Sequence, residues 1–332
     1  PAVGRMRKKP NHDIDSFDLE SQLIGIDGLE KVKYELRSLK ASYLLDAERR
    51  ALGITVKEPP APHMVFVGNP GTGKTTIAKM LGKLLYSIGV IETDKVLMVT
   101  RADLVGAHIG STEKLTREKI QEAQGGVFFI DEAYQLYKED SSKDFGHEAI
   151  EVIMNVLHDN DPVVIFAGYP NEMKKFMNGN PGLRRRVGRT FLFEDYEFDQ
   201  IAKIFVKNHL GDEYSIAKVP TTDQNKYNPL EMFEDDEAIA WLQEQMATHI
   251  SDKQRKMFNV GLCDNLLDRA RQIQNKRLMG AFYGDEVDDL DHTKKTAMPN
   301  EVDKKALLLQ FQQSDLTKAL IAIKAAFDAS TE

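Results

Sequence analysis

The sequence predicts an α/β fold, with a P-loop core on a five-stranded parallel sheet followed by a small helical lid domain. Three observations carry that expectation. Short, almost wholly apolar runs alternate with amphipathic stretches between Val65 and Phe193, as βαβ units around a sheet covered on both faces require. A glycine-rich octapeptide, Gly68 to Thr75, directly follows the first of these runs. After Tyr196 the pattern becomes helical repeats at threes and fours, separated by polar loops. The 332 residues give an expectation of about two domains at ~150 residues each.

In chain order, residues 1–20 form a basic N-terminal arm (Arg5, Arg7, Lys8, Lys9) with no apolar segment after it, read as solvated. The start at Pro1 without an initiator Met reads as a fragment or a processed form. A helical lead-in spans Leu29–Leu52. Strands are expected at Met64–Val67, Val96–Thr100, Val127–Ile130, Val163–Ala167 and Thr190–Phe193, each short and rich in β-branched or aromatic residues. Between them, Ile77, Met80, Leu81, Leu84, Leu85 and Ile88 repeat with helical spacing, as do Ala149, Ile150, Ile153, Met154 and Leu157. Residues 21–196 make the α/β domain and 197–332 the lid. Lid helices are expected over Phe198–Leu210 (closed by Gly211), Asp236–Ile250, Leu262–Leu278 and Asp315–Ala329, with 212–232 and 284–300 as loops. Trp241 fits the lid core. The acidic run 285–291 lacks the glycine and terminal glutamate spacing of a calcium loop and reads as a solvated loop.

Composition excludes several classes. With 42% hydrophobic and 29% charged residues the chain can bury a core, and no apolar stretch approaches the ~18 residues of a membrane span. The single cysteine, Cys263, rules out a disulfide framework and suits a reducing compartment. A net charge of −8 argues against a protein that works by coating nucleic acid. The histidines are scattered without metal-ligand spacing.

The octapeptide Gly68-Asn69-Pro70-Gly71-Thr72-Gly73-Lys74-Thr75 is a complete G-x-x-x-x-G-K-[ST] phosphate loop. Glycines let successive backbone N–H groups converge on phosphate oxygens at the positive end of a helix. Lys74 would contact the β- and γ-phosphates and the Thr75 hydroxyl would hold Mg²⁺, with Thr76 next in the nucleotide's surroundings. Val127–Ile130 ends in Asp131-Glu132. Asp131 suits the Mg²⁺ role, directly or through water, and Glu132 suits the base that polarises water for attack on the γ-phosphate. Expected cofactors are therefore ATP and Mg²⁺. Just before the last strand, Arg184-Arg185-Arg186 is a solvated loop, a polyanion contact, or the source of a guanidinium projected at a neighbouring subunit's γ-phosphate, Arg186 being preferred.

Taken together, Leu23-Ile24-Gly25, the phosphate loop, Thr100-Arg101-Ala102-Asp103-Leu104-Val105-Gly106, Gly125-Gly126-Val127 with Asp131-Glu132-Ala133-Tyr134, Ala167-Gly168-Tyr169 and Asn180-Pro181-Gly182 resemble the CbbX/CfxQ group of AAA+ ATPases. That group includes the red-type Rubisco activase and SpoVK-like proteins. The resemblance covers roughly residues 20–330 and is strongest over 63–196. Lys253-Gln254-Arg255-Lys256 and Gly261-Leu262 bring it closest to the branch also found fused to ankyrin repeats. It implies an ATPase that remodels a protein client from within a ring, a hexamer, with ATP bound between subunits. The ring is a homo-oligomer or a hetero-oligomer with a related subunit.

By position, the resemblance puts Ile24 and Gly25 on the adenine, Arg186 at the finger and Tyr169 at the usual place of a polar residue that senses the γ-phosphate, where Asn171 is an alternative. It also shows departures. Gly261 and Asp264 stand where the activases of the group carry lid arginines, leaving Lys253, Arg255, Lys256 or Arg269 to compensate. In the loop that grips a threaded polypeptide, the usual aromatic is replaced by His108, followed by Ile109. Two other functions compete with the remodelling motor: a DNA-directed P-loop ATPase, and a nucleotide-gated scaffold that hydrolyses slowly. The charge opposes the first; the intact Asp131-Glu132 pair opposes the second. The pore loop and lid both differ from the activases, which counts against Rubisco as the client.

Overall fold

The computed structural model describes residues 17–56, 62–108, 110–137, 144–211, 214–218, 232–283 and 307–331. Of the N-terminal arm read as residues 1–20, residues 1–16 lie outside these, as do Ile109, most of the loop 212–232 and the whole of 284–300 with its acidic run. Within the arm's expected span a helix already begins at Leu19. The chain divides into two compact units between Glu194 and Asp195.

In the first unit, α1 (Leu19–Ile24) and α2 (Glu30–Ala51) precede β1 (Met64–Gly68). The order then runs α3 (Lys74–Ser87), β2 (Val96–Val99), α4 (Arg101–Leu104), α5 (Ser111–Glu122), β3 (Val127–Ile130), α6 (Gly146–Asp159), β4 (Val163–Gly168), α7 (Pro170–Gly179), α8 (Pro181–Arg186) and β5 (Arg189–Phe193). The five strands form one parallel sheet in the order β2-β3-β4-β1-β5. All four residues of β3 and all six of β4 are buried, as the apolar runs require of central strands. Phe66 on β1 sits at the centre. Its ring lies 5.1 Å from Phe191, 5.0 Å from Phe193 and 6.3 Å from Phe129, so three strands share one aromatic cluster. Phe66→Ala would cost about 3–5 kcal/mol through the cavity it leaves.

One buried polar residue ties this sheet to its helices. The His63 Nδ1 accepts from the Val164 amide at 3.0 Å, which leaves the ring proton on Nε2 to donate to the Leu157 carbonyl at 3.0 Å. Burial pushes its pKa down to about 4, so His63 is neutral in the fold.

Strand 2 is one residue shorter than the sequence suggests, because Thr100 turns out of it to cap α4. The Thr100 amide donates to Asp103 Oδ2 at 2.8 Å, closing a capping box.

The second unit is helical, with α9 (Phe198–Ile204), α10 (Asp235–His249), α11 (Asp252–Phe258), α12 (Gly261–Tyr283) and α13 (Gln313–Thr331). Two features correct the sequence expectation. The stretch Phe198–Leu210 is not one regular helix, because its last part, Phe205–Leu210, widens to a π-turn before Gly211. The lid also holds a small parallel sheet, β6 (Ser215–Ala217) with β7 (Gln310–Gln312); the sequence puts β6 inside the loop 212–232 and assigns nothing to 310–312. Helices α12 and α13 pack together, and Leu262, Leu266 and Ala270 of the first and Leu316, Leu320 and Ile323 of the second are all buried. Trp241 is half-buried and stacks on Phe233 at 5.9 Å, while Leu242 and Met246 of the same helix are buried.

Candidate nucleotide site

The sheet order determines which side chains meet. In a parallel sheet ligand sites form beyond the carboxyl ends of the strands. Here β4 lies between β1 and β3. The residue that follows β4 therefore stands between the phosphate loop after β1 and the carboxylates after β3. That residue is Tyr169.

The loop is built as its sequence demands. Gly71 and Gly73 have φ of 68° and 90°, a left-handed backbone that only glycine adopts without strain. A Cβ on Gly68 would lie 2.6 Å from Cβ of Phe193 on β5, so the loop leaves the sheet at a point with no room for a side chain. Thr72 is buried and its hydroxyl donates to the Asn69 carbonyl at 2.7 Å. Lys74, the first residue of α3, is only 9% exposed, and its ammonium donates to the carbonyls of Gly68 (2.9 Å) and Asn69 (2.8 Å). Burial lowers the Lys74 pKa, and the negative charges of Asp131 and Glu132 partly offset that. Thr75 is half-buried, and Pro70, Gly71 and Thr76 are exposed.

Across the sheet, Asp131 and Glu132 are half-buried at the end of β3. The Asp131 Oδ1 accepts from the Glu132 amide at 3.0 Å. Glu132 has φ 48°, a left-handed conformation uncommon for a residue with a side chain and frequent at functional sites. Its carboxylate carries two donors. The Tyr169 hydroxyl donates to Oε1 at 3.0 Å, and the Gln135 side-chain amide donates to Oε2. The Tyr169 ring lies 5.5 Å from Tyr134 and faces the Lys74 ammonium at 5.9 Å. Burial, followed by its bond to Glu132, pushes the Tyr169 pKa up to about 12, so the phenol keeps its proton. One side chain thus faces both the lysine of the phosphate loop and the carboxylate opposite it. Asn171 is exposed on the first turn of α7.

The other sequence candidates stand on separate elements. Ile24, in the last turn of α1, is 83% exposed, and Gly25 caps that helix through its amide to the Leu23 carbonyl. Arg186 ends α8 half-buried, its Nη1 donating to the Gly182 carbonyl of the same helix at 3.1 Å. Arg184 and Arg185 are exposed. His108 is exposed, its carbonyl accepting from Ser111 Oγ at 2.5 Å.

In the lid, Arg255 is 4% exposed and bonded to Asp252, Glu197 and the Tyr196 carbonyl, with its guanidinium 5.6 Å from the Phe198 ring. A guanidinium held on four sides inside its own unit is a structural cation. Asp264 accepts from His209 Nε2 at 3.1 Å, and Lys256 pairs with Asp252 at 2.8 Å.

Three residues near the carboxylates take no role from the sequence: Gln135 and Asp144, which lie in none of the motifs above, and Arg101, which lies in the stretch Thr100–Gly106. Arg101 donates to the Gln135 carbonyl at 2.7 Å and pairs with the Asp144 carboxylate, itself 5% exposed. A neutral amide after Asp-Glu-Ala-Tyr has nothing in its spacing to mark it.

Fold, phosphate loop and acidic strand end together define a P-loop ATPase with a helical lid. Comparison with known proteins agrees. The family described as "ATPase family associated with various cellular activities (AAA)" matches residues 64–195. The crystal structure of the FIGL-1 AAA domain in complex with ADP superposes with a TM-score of 0.53 over 92% of this chain and 89% of that one, at 18% identity, a likeness of fold. Among curated relatives, Protein CbbX of Cereibacter sphaeroides is 38% identical over 80% of this chain and 79% of that protein. The Protein CfxQ homolog of Trieres chinensis is 46% identical over 76% and 80%. The chloroplastic ribulose bisphosphate carboxylase/oxygenase activase of Cyanidioschyzon merolae is 43% identical over 56% of this chain and 63% of that protein. The chain belongs to the CbbX/CfxQ family of AAA+ ATPases. It binds and hydrolyses ATP. Among the described residues no helix is long and apolar enough to cross a membrane.

Proposed function

We propose that this chain is the subunit of a ring-shaped AAA+ motor that uses ATP hydrolysis to remodel a protein client, with each active site completed by a neighbouring copy. The observation that carries the reading is the convergence of Lys74, Tyr169 and Glu132 beyond three neighbouring strands.

In this reading the loop amides and Lys74 hold the β- and γ-phosphates, while Ile24 and Gly25 pack on the adenine. A buried ammonium, loop N–H groups, one hydroxyl and a carboxylate are the donor set that Mg²⁺-ATP needs, with oxygen ligands for a hard cation. Thr75 and Asp131 would hold Mg²⁺, which when bound neutralises charge on the phosphates. Glu132 takes a proton from the attacking water, and Tyr169 orients that carboxylate from its other side. Arg186 acts on the phosphates of the next subunit. His108 and Ile109 present the grip on an extended polypeptide.

The test measures ATP turnover and particle mass together, with and without an unfolded polypeptide, duplex DNA, or ribulose bisphosphate carboxylase/oxygenase. Assembly with ATP and stimulation by polypeptide are expected. Turnover raised by DNA alone would overturn the remodelling reading in favour of a DNA-directed ATPase. His108→Ala should lower polypeptide stimulation at least severalfold, and His108→Tyr should keep or raise it, because the larger ring offers more contact area.

A further inference from the structure

The geometry points to Gln135 as a positioning residue for the Glu132 carboxylate, with Arg101 as the clamp that holds Gln135 in place. This rests on Glu132 being the base of the proposed mechanism.

After β3 the chain forms a four-residue 3₁₀ turn, Ala133–Leu136. Such a turn has three residues per revolution, so side chains three apart eclipse one another. Residue 135 is thereby brought over residue 132. The structure shows both consequences: the Gln135 amide donates to the Glu132 carbonyl at 2.8 Å, and its side-chain amide donates to Glu132 Oε2.

A glutamate has a soft terminal torsion, since rotation about an sp³–sp² bond is broad and roughly two-fold. One donor leaves the carboxylate plane free to swing; two donors on different oxygens fix it. With Tyr169 on Oε1 and Gln135 on Oε2, each oxygen still has a lone pair for a water proton. The half-buried site lowers the cost of keeping this arrangement, because a charge-assisted hydrogen bond is stronger where water competes less.

Gln135 is itself held. The Arg101 guanidinium forks between the Gln135 carbonyl and Asp144. A carboxylate as buried as Asp144 needs its partner, so the fork stays in place. Lysine offers charge but not a planar fork, and cannot make both bonds in the same geometry.

The test is steady-state kinetics and nucleotide binding on the full chain. Gln135→Leu, of similar size but without a donor, should lower kcat for ATP about tenfold, a factor that corresponds to about 1.4 kcal/mol. KM and the affinity for a fluorescent ATP analogue should stay within about twofold. Arg101→Lys should lower kcat in the same direction, and the double variant should be no slower than Gln135→Leu, since both act through one bond. In a Glu132→Gln background, Gln135→Leu should change the residual rate less than twofold, whereas a residue that only supports the fold would slow both backgrounds alike. Gln135→Met gives a second side chain without a donor should the leucine variant lose thermal stability. An unchanged or raised kcat in both Gln135 variants would overturn the inference, as would equal losses in the two backgrounds. Wild-type turnover in Glu132→Gln alone would instead overturn the base assignment on which it rests.

Discussion

Lys74, Glu132 and His63 show how burial decides what a charged or titrating side chain can do. The Lys74 ammonium is nearly enclosed and uses two loop carbonyls as acceptors. Such a cation is the main point-charge partner available to a phosphate in the loop. Lys74→Ala should therefore weaken ATP binding by at least tenfold in a direct titration, and undiminished affinity would count against the loop as the phosphate site. Glu132→Gln should leave binding intact and cut turnover about 100-fold or more, because an amide cannot accept the water proton. His63 gives a stability prediction of the opposite kind. Its folded pKa of about 4 lies below the ordinary 6.5, so between these values the unfolded chain binds a proton that the folded chain refuses. The His63 contribution to stability is fully present above pH 6.5 and is lost as pH falls toward 4, by at most about 3 kcal/mol. Urea unfolding across that window should show a shallower pH dependence in His63→Gln, which can still accept from Val164 and donate to Leu157 but does not titrate.

At the scale of elements, what was legible depended on whether the signal lay in a local run. The core strands could be read because they are short runs rich in apolar, β-branched or aromatic residues, continuously buried in β3 and β4 and partly exposed in the edge strands β2 and β5. Their ends fell within a residue or so of expectation. The three-residue strands β6 and β7 were not legible: Ser215, Gln310 and Gln312 are polar, and their pairing joins segments far apart in the chain. The same distinction holds at the site. Gly68–Thr75 and Asp131-Glu132 announce themselves by local spacing, whereas Tyr169 meets Glu132 only because β4 is inserted between β1 and β3. Gln135 and Arg101 depend on a turn type and a long-range fork that no local pattern encodes. In the lid, Asn259 carries comparable weight. It is buried with φ 47°, accepts from the Tyr196 amide at 2.8 Å and donates to Asp195 at 2.9 Å. Asn259→Ala would strand a buried amide donor in a left-handed backbone that alanine disfavours, at a cost of about 2–4 kcal/mol. Chemical denaturation should register that loss, and a loss below 1 kcal/mol would show that the bonds are replaced by solvent.

At the scale of the proposed assembly the residue that tests the reading is Arg186. Its guanidinium is held by the Gly182 carbonyl within α8, while the groups around Glu132 among the described residues include Tyr169, Gln135 and Tyr134. If the guanidinium serves a neighbour's γ-phosphate, the phenotype belongs to the interface and not to the subunit. Arg186→Ala should then bind ATP with unchanged affinity and hydrolyse it up to ~10³ times more slowly. Lys74→Ala fails for the complementary reason, since it retains Arg186 but loses the phosphate contact. Mixing the two inactive variants creates interfaces at which an intact Arg186 faces an intact Lys74, so turnover should rise above that of either variant alone. The recovery should follow the fraction of such interfaces as the mixing ratio changes, with a maximum near equal amounts. Mass measurement on differently tagged subunits establishes that mixed particles have formed. No recovery in verified mixed particles would assign Arg186 to its own chain or to the structure of α8, and the interfacial active site would fall with it.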